Sequence, residues 1–177
     1  METLTGKRVH LRELTPEDAN VIFALFSDPE AMRYWSYPPY IDLMQAKARL
    51  ARDAEGVAQN VVRPWGIVHQ EVLIGTCTLH GIDQDNARAE LGYMLARAHW
   101  GQGLASEAVG LAIDYAFTTL GLRRLEADID PRNLASQKVL ERLGFERDGY
   151  LRERWCVAGE ISDSALYGLL AREWKRK

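Results

Sequence analysis

Gly101 and Gly103 lie in the run Trp100-Gly-Gln-Gly-Leu-Ala-Ser-Glu107, at the mouth of an amphipathic segment. Glycines at that spacing strip side chains from a turn where backbone must approach a ligand closely, and Ala105 keeps the next turn slim. The first amides of a helix have no internal partner, and the helix dipole adds roughly half a positive charge there. Such a turn suits the seating of a phosphate or pyrophosphate. By itself a GxG turn is equally a tight turn without a ligand. No GxxxxGK(S/T) run is present, which excludes a P-loop. Ser106 stands where a dinucleotide fingerprint wants glycine or alanine.

A second constellation follows downstream, Asn133-Leu-Ala-Ser136-Gln-Lys-Val-Leu140-Glu-Arg-Leu-Gly144-Phe145. Asn133 suits a helix cap and Gly144 the left-handed residue that ends a helix. A third feature is aromatic. Tyr34, Trp35, Tyr37 and Tyr40 fall within seven positions of a chain that is 9% aromatic, and Pro38-Pro39 stiffens the stretch.

These residues need elements to position them. Alternation from Arg8 to Leu14 predicts a first strand. Thr15-Pro16-Glu17-Asp18 opens a helix with Ile22, Phe23, Leu25 and Phe26 on its buried side, stopped at Ser27-Asp28-Pro29. A second helix is predicted from Asp42 to Asp53, with Leu43, Ala46 and Leu50 on one face. Strands at Trp65–Val68 and Val72–Ile82 flank a short connection at His69-Gln-Glu71, and Arg88–Leu95 extends the meander. The helix entered through the glycines carries Leu104, Ala108, Leu111 and Tyr115 on one side. Arg123–Asp130 is a further strand, then a helix over Leu134–Leu143. Phe145–Val157 and Ser162–Trp174 are the last strands, turned at Ala158-Gly159. The order β-α-α-β-β-β-α-β-α-β-β predicts α+β, one sheet with helices on its faces.

Composition fits one soluble domain spanning 1–177. Apolar residues are 47% and charged residues 27%; 22 Lys+Arg against 25 Asp+Glu leave a net charge of −3. That balance lacks the basic field of a nucleic-acid or anionic-membrane binder, and the basic end Lys175-Arg-Lys177 is thin support for one. No apolar run approaches the ~18 residues of a membrane span. The charged start Met1-Glu-Thr-Leu-Thr-Gly-Lys-Arg lacks a signal-peptide core, so a cytoplasmic location is expected. Cys77 and Cys156, without a CxxC, predict neither a disulfide scaffold nor a metal site, and are expected to be buried packing residues.

A strand ending in an apolar run, a GxGxA helix entry and an NxxSxxVLxxLGF helix occur here in one order. Together they resemble the GNAT superfamily of acetyl-CoA-dependent N-acetyltransferases, most closely its RimJ/RimL-like branch, and are similar to the spermidine N-acetyltransferases. The resemblance is strongest from Glu90 to Phe145. It is supported by Val9-His-Leu-Arg-Glu-Leu and by the region from Gly149 to Asp163.

It implies a mixed, mostly antiparallel sheet with a central splayed strand pair. It also implies acetyl-CoA as co-substrate, no metal, and transfer of acetyl to a primary amine by direct attack in a ternary complex. The acceptor is a protein N-terminus or a small-molecule amine. A homodimer through the last strands is one option. By resemblance Tyr93, Met94 and Leu95 pair with the pantetheine arm, with an N–H around Met94 for the thioester oxygen. Trp100, Gly101, Gln102, Gly103, Leu104, Ala105 and Ser106 form the pyrophosphate loop. Trp100 replaces the glutamine or arginine of many relatives, and packing is an equal reading of it. Asn133 contacts the pantetheine, and Ser136 faces the thioester.

Many relatives carry a tyrosine, seven residues after that asparagine, as acid to the leaving thiolate. Leu140 stands there and cannot donate; the resemblance to RimL-like relatives implies Ser136 as the donor instead. Its absence is also the one feature that suits an alternative, a catalytically weak acyl-CoA sensor. Amines are mostly protonated at neutral pH (pKa ~8 for an α-amine, ~10.4 for lysine), so a carboxylate must take a proton. Glu90 is the first candidate, Glu153 the second and Asp163 a third, while Glu107 reads as a helix-dipole partner. Tyr34, Trp35 and Tyr37 are expected to overhang the acceptor, or else to form a satellite core.

Overall fold

A computed structural model describes residues 2–175; Met1, Arg176 and Lys177 lie outside the described residues. Eight strands form one sheet in the order β1-β2-β3-β4-β5-β6-β8-β7. They are β1 (Leu4–Thr5), β2 (Val9–Glu13), β3 (Val62–His69), β4 (Val72–Asp83), β5 (Arg88–Leu95), β6 (Arg124–Ile129), β7 (Glu146–Val157) and β8 (Glu160–Leu170). Neighbours are antiparallel except β5 and β6. The helices are α1 (Ala19–Ser27), α2 (Leu43–Ala58), α3 (Leu104–Thr118) and α4 (Leu134–Arg142).

Alternation along β5 sorts the two layers. Ala89, Leu91 and Leu95 enter the large core with Ala108, Val109, Ala112 and Ile113 of α3 and Leu140 of α4. Met94 points the other way, into a second cluster with Ile22, Leu25 and Phe26 of α1 and Ala46 and Leu50 of α2. The sheet is therefore covered on both faces, α1–α2 on one and α3–α4 on the other.

Local chemistry explains most boundaries. Asp42 caps α2, its side chain accepting from the Met44 amide at 2.8 Å. Gln70 and Glu71 both adopt positive φ, the conformation of a two-residue hairpin turn between β3 and β4. Differences from the expected elements are few. Pro16–Asp18 is a 3-10 turn preceding α1. α2 runs to Ala58, because nothing after Asp53 interrupts the helix before Gln59. The two-residue β1 pairs Leu4 with Leu11 and was not anticipated. β8 stops at Leu170, where the Glu173 carboxylate accepts from the Leu170 amide and turns the chain. Cys77 is buried as expected, with its thiol pushed up to about 12 by desolvation. Cys156 is instead exposed on β7.

Candidate active site

The defining feature is a fault in the sheet. β5 and β6 pair only through Arg88↔Arg124, Ala89↔Leu125 and Glu90↔Glu126. Beyond that point β5 stays with β4 as far as Gly75↔Leu95, and β6 stays with β8 as far as Ile129↔Ala165. Each strand keeps its outer partner, so the backbone between them opens. A cavity of about 250 Å³ fills the opening.

The register decides which backbone groups face it. The Ala96 amide bonds the Ile74 carbonyl at 2.8 Å, so by antiparallel alternation the backbone groups of Met94, Gly92 and Glu90 point to β4. Those of Leu91, Tyr93 and Leu95 point into the opening. This narrows the expectation of an N–H around Met94: the Met94 backbone faces the β4 ladder and its side chain the α1–α2 cluster, while the backbone groups of Tyr93 and Leu95 face the opening.

Next comes the glycine-rich turn. Gly101 (φ 73°) and Gly103 (φ 76°) are both left-handed, and a side chain on Gly101 would meet nothing within 4 Å. The turn is thus an open cradle at the start of α3, and the buried Ser106 hydroxyl there has no hydrogen-bond partner among the described residues. These features fit a diphosphate. Trp100 is half-exposed, and its indole N–H donates to the Leu95 carbonyl at 2.8 Å, tying the turn to the end of β5. Gln102 donates to the Ala98 carbonyl at 3.1 Å. Glu107 does more than face a dipole. Burial pushes its pKa up, but its carboxylate accepts from the Arg8 and Val9 amides and from the Arg8 guanidinium, and together these bonds hold the pKa below the usual range.

At the far side of the opening the Asn133 Oδ1 caps α4, accepting from the Ser136 amide at 3.1 Å. Asn133 and Ser136 both line the cavity. So does Tyr93, whose hydroxyl lies 2.8 Å from Ser136 Oγ. Leu140 is wholly buried in the core.

The expected bases separate. Glu90 lines the cavity at the root of the opening. Glu153 is exposed on β7 in a left-handed bulge (φ 53°), away from the cavity. Asp163 holds that bulge, accepting from the Glu153 amide at 2.7 Å and from the Tyr150 hydroxyl at 2.6 Å. His80, which sequence reasoning missed, pairs across from Glu90 and lines the same cavity, its ring lying over Gly92. Desolvation lowers its pKa and Arg49 adds to this, while Glu90 and Asp53 oppose it.

Two more carboxylates border the space. Asp130 is buried and neutralised by Arg132 at 2.6 Å, whereas Asp128 and Glu90 have no hydrogen-bond or ion-pair partner among the described residues. Of the aromatic run, Tyr34 and Trp35 line the cavity. Tyr37 does not. It stacks on Tyr40, accepts from Arg49 at 3.1 Å and belongs to the satellite core, where burial pushes its pKa up to about 12.

Comparison with known proteins agrees with this geometry. Residues 8–146 match the family model described as "Acetyltransferase (GNAT) domain". The chain is 41% identical to the uncharacterized N-acetyltransferase p20 of Bacillus licheniformis, covering 98% of this chain and 99% of that one. The crystal structure of ribosomal-protein-S5-alanine acetyltransferase from Vibrio fischeri superposes with a TM-score of 0.87 at 25% identity, over 99% of this chain and 100% of that one. The spermidine N-acetyltransferase from Vibrio cholerae, solved with CoA and spermine, gives 0.86 at 25% identity, over 95% and 98%. No helix among the described residues is long and apolar enough to cross a membrane. A sheet opened between β5 and β6, a glycine cradle at α3 and this match together mean that the chain belongs to the GNAT acetyltransferase family and transfers acetyl from acetyl-CoA to an amine.

Proposed function

We propose that the two sides of the opened sheet divide the reaction. Glu90, Gly92 and His80 lie on the α1–α2 face, with Tyr34 and Trp35 above them, and receive the amine. Tyr93, Asn133 and Ser136 lie on the α3–α4 face and receive the thioester. Acetyl-CoA supplies an activated acyl carbon and a thiol leaving group.

In this reading the amides of Gly103 to Ser106 hold the diphosphate, and Leu91, Tyr93 and Leu95 pair with the pantetheine arm as an added strand. The Asn133 side-chain amide, whose oxygen caps α4, offers its nitrogen to the same arm. Glu90 takes the proton that frees the amine lone pair, directly or through a water. His80, kept uncharged near neutral pH, stands across from it as a second acceptor. An N–H of Tyr93 or Leu95 meets the carbonyl oxygen as it gains charge. Ser136 donates to the departing sulfur.

The acceptor that suits this cavity is a cationic primary amine, a protein N-terminus or a small molecule. The supporting observation is that Glu90 and Asp128, carboxylates with no hydrogen-bond or ion-pair partner among the described residues, line the same cavity as Tyr34 and Trp35. Release of free thiol from acetyl-CoA with a panel of N-terminal peptides and small amines tests this. Turnover should need an acceptor that is protonated in bulk solution. Equal turnover with neutral nucleophiles such as alcohols contradicts it.

A further inference from the structure

The α4 wall of the cavity holds two hydroxyl groups that touch each other and belong to different elements. Tyr93 projects from β5 and Ser136 from the first turn of α4, 43 positions apart in sequence and 2.8 Å apart in space. Leu140, one turn further along α4, is apolar and fully buried, so that turn contributes no donor. The Tyr93 hydroxyl is also 3.3 Å from the Ser136 carbonyl, a weaker contact than the one to Oγ. A serine hydroxyl has one hydrogen and two lone pairs. If that hydrogen is spent on Tyr93, the serine shows the cavity only lone pairs, which repel a departing thiolate.

Resting on the role given above to Ser136, we propose that Tyr93 is a positioning residue for thiol departure. Its hydroxyl donates to Ser136 Oγ and turns the serine hydrogen toward the cavity, where it stabilises the thiolate of coenzyme A. The amine lone pair forms the C–N bond, and the C–S electron pair leaves with sulfur. Glu90 takes one proton to free the lone pair, and the nitrogen loses a second once the C–N bond has formed; both pass to solvent, which later returns one to the thiolate. No proton leaves Tyr93. Burial keeps its phenol far above the ordinary tyrosine value, so it stays a donor at every working pH. A thiol with a pKa near 8.5 departs as the anion and needs a hydrogen bond more than a strong acid.

A double-mutant cycle in single-turnover and steady-state assays tests the arrangement. Ser136→Ala is expected to lower kcat ~10–100-fold, the range for a hydrogen bond to a charged group. Tyr93→Phe should lower kcat ~10-fold on the same grounds, with KM for acetyl-CoA and the melting temperature near wild-type values. Ser136→Thr, which keeps the hydroxyl, should restore most of the rate. In the Ser136→Ala background, Tyr93→Phe should cost nothing more. Equal losses in both backgrounds overturn the inference, as does a Tyr93→Phe enzyme with wild-type kcat. A Ser136→Ala enzyme with wild-type kcat removes the serine's role and this inference with it. A slow Ser136→Ala beside a normal Tyr93→Phe removes only the role of Tyr93.

Discussion

Glu107 binds Arg8 through both carboxylate oxygens, Oε1 accepting from the Arg8 backbone amide at 2.6 Å and Oε2 from its guanidinium at 3.0 Å. The same guanidinium donates to the Gln102 carbonyl at 2.8 Å. The glycine-rich turn is therefore clamped from outside by Arg8, the residue that leads into β2, 99 positions away for the Arg8–Glu107 bond. A flexible glycine turn gains its fixed shape from that clamp, and a preorganised seat binds an anion more tightly than one that must be ordered first.

Glu107→Ala should loosen the turn. With the charge-assisted bonds to Arg8 gone, unfolding free energy should fall by about 1–2 kcal/mol. Coenzyme A affinity should fall ~10-fold, as expected when a binding loop must be ordered on binding. Calorimetric titration and thermal melting check both. Wild-type affinity beside the lowered melting temperature confines the clamp to stability.

Gly103→Asp should strike the seat itself. Its φ of 76° strains any side chain, and the carboxylate would stand among the amides proposed to hold the diphosphate. Loss of coenzyme A affinity by ~100-fold or more is expected, on the scale of a like charge placed in an anion site. The sheet should remain folded by circular dichroism. Retained affinity places the diphosphate elsewhere.

The acceptor side should show in pH profiles. Glu90→Gln should lower kcat/KM most at low pH, where fewest amines are already neutral, and least above pH ~9. His80→Asn should lower it less, and chiefly above the folded pKa of the imidazole. The sign follows from that pKa lying below 6.5. At neutral pH His80 is mostly uncharged in the unfolded chain and more so in the folded one. As pH falls below the unfolded value the unfolded chain takes the proton first, so wild-type stability declines, and His80→Asn should remove part of that decline. A flat loss of rate across pH in Glu90→Gln moves the base to His80 or water.

Asp18 should govern part of the acid stability. Its two oxygens accept from Arg12 at 2.7 and 2.8 Å and from the Thr15 amide at 2.8 Å, and these hold its pKa below the ordinary value. A depressed carboxylate stabilises fully above its unfolded pKa, ~3.9, and the contribution disappears as pH falls through the folded value. Asp18→Asn should cost about 2 kcal/mol at pH 7 and little at pH ~2, read from urea unfolding at both. An equal loss at both pH values contradicts an ionic origin.

What could be read from the sequence was local or patterned. Asn133 and Gly144 bracket α4 because capping chemistry acts over a few residues, and β5 carries its bounds in its own alternation. Contacts that depend on register stayed hidden. Met94 and Tyr93 are neighbours in sequence, yet pairing with β4 turns their amides to opposite sides. Trp35 and Tyr37 are both aromatic, yet only the first reaches the cavity while the second answers to Arg49 on α2. His80 carried no signal of its own, since its meaning comes from lying opposite Glu90. Glu153 lies on the strand expected to border the acceptor groove, but it sits in a bulge held by Asp163 and does not line the cavity.

In the proposed reading, the backbone of β5 beyond Glu90 and the amides opening α3 hold the acyl donor. Residue-resolved amide hydrogen exchange, with and without saturating coenzyme A, reports on those groups directly. Exchange at Tyr93, Leu95 and Gly103 to Ser106 should slow strongly on binding, while Met94, already in the β4 ladder, should change little. Bound coenzyme A with unaltered exchange at Tyr93 and Gly103 would contradict the account.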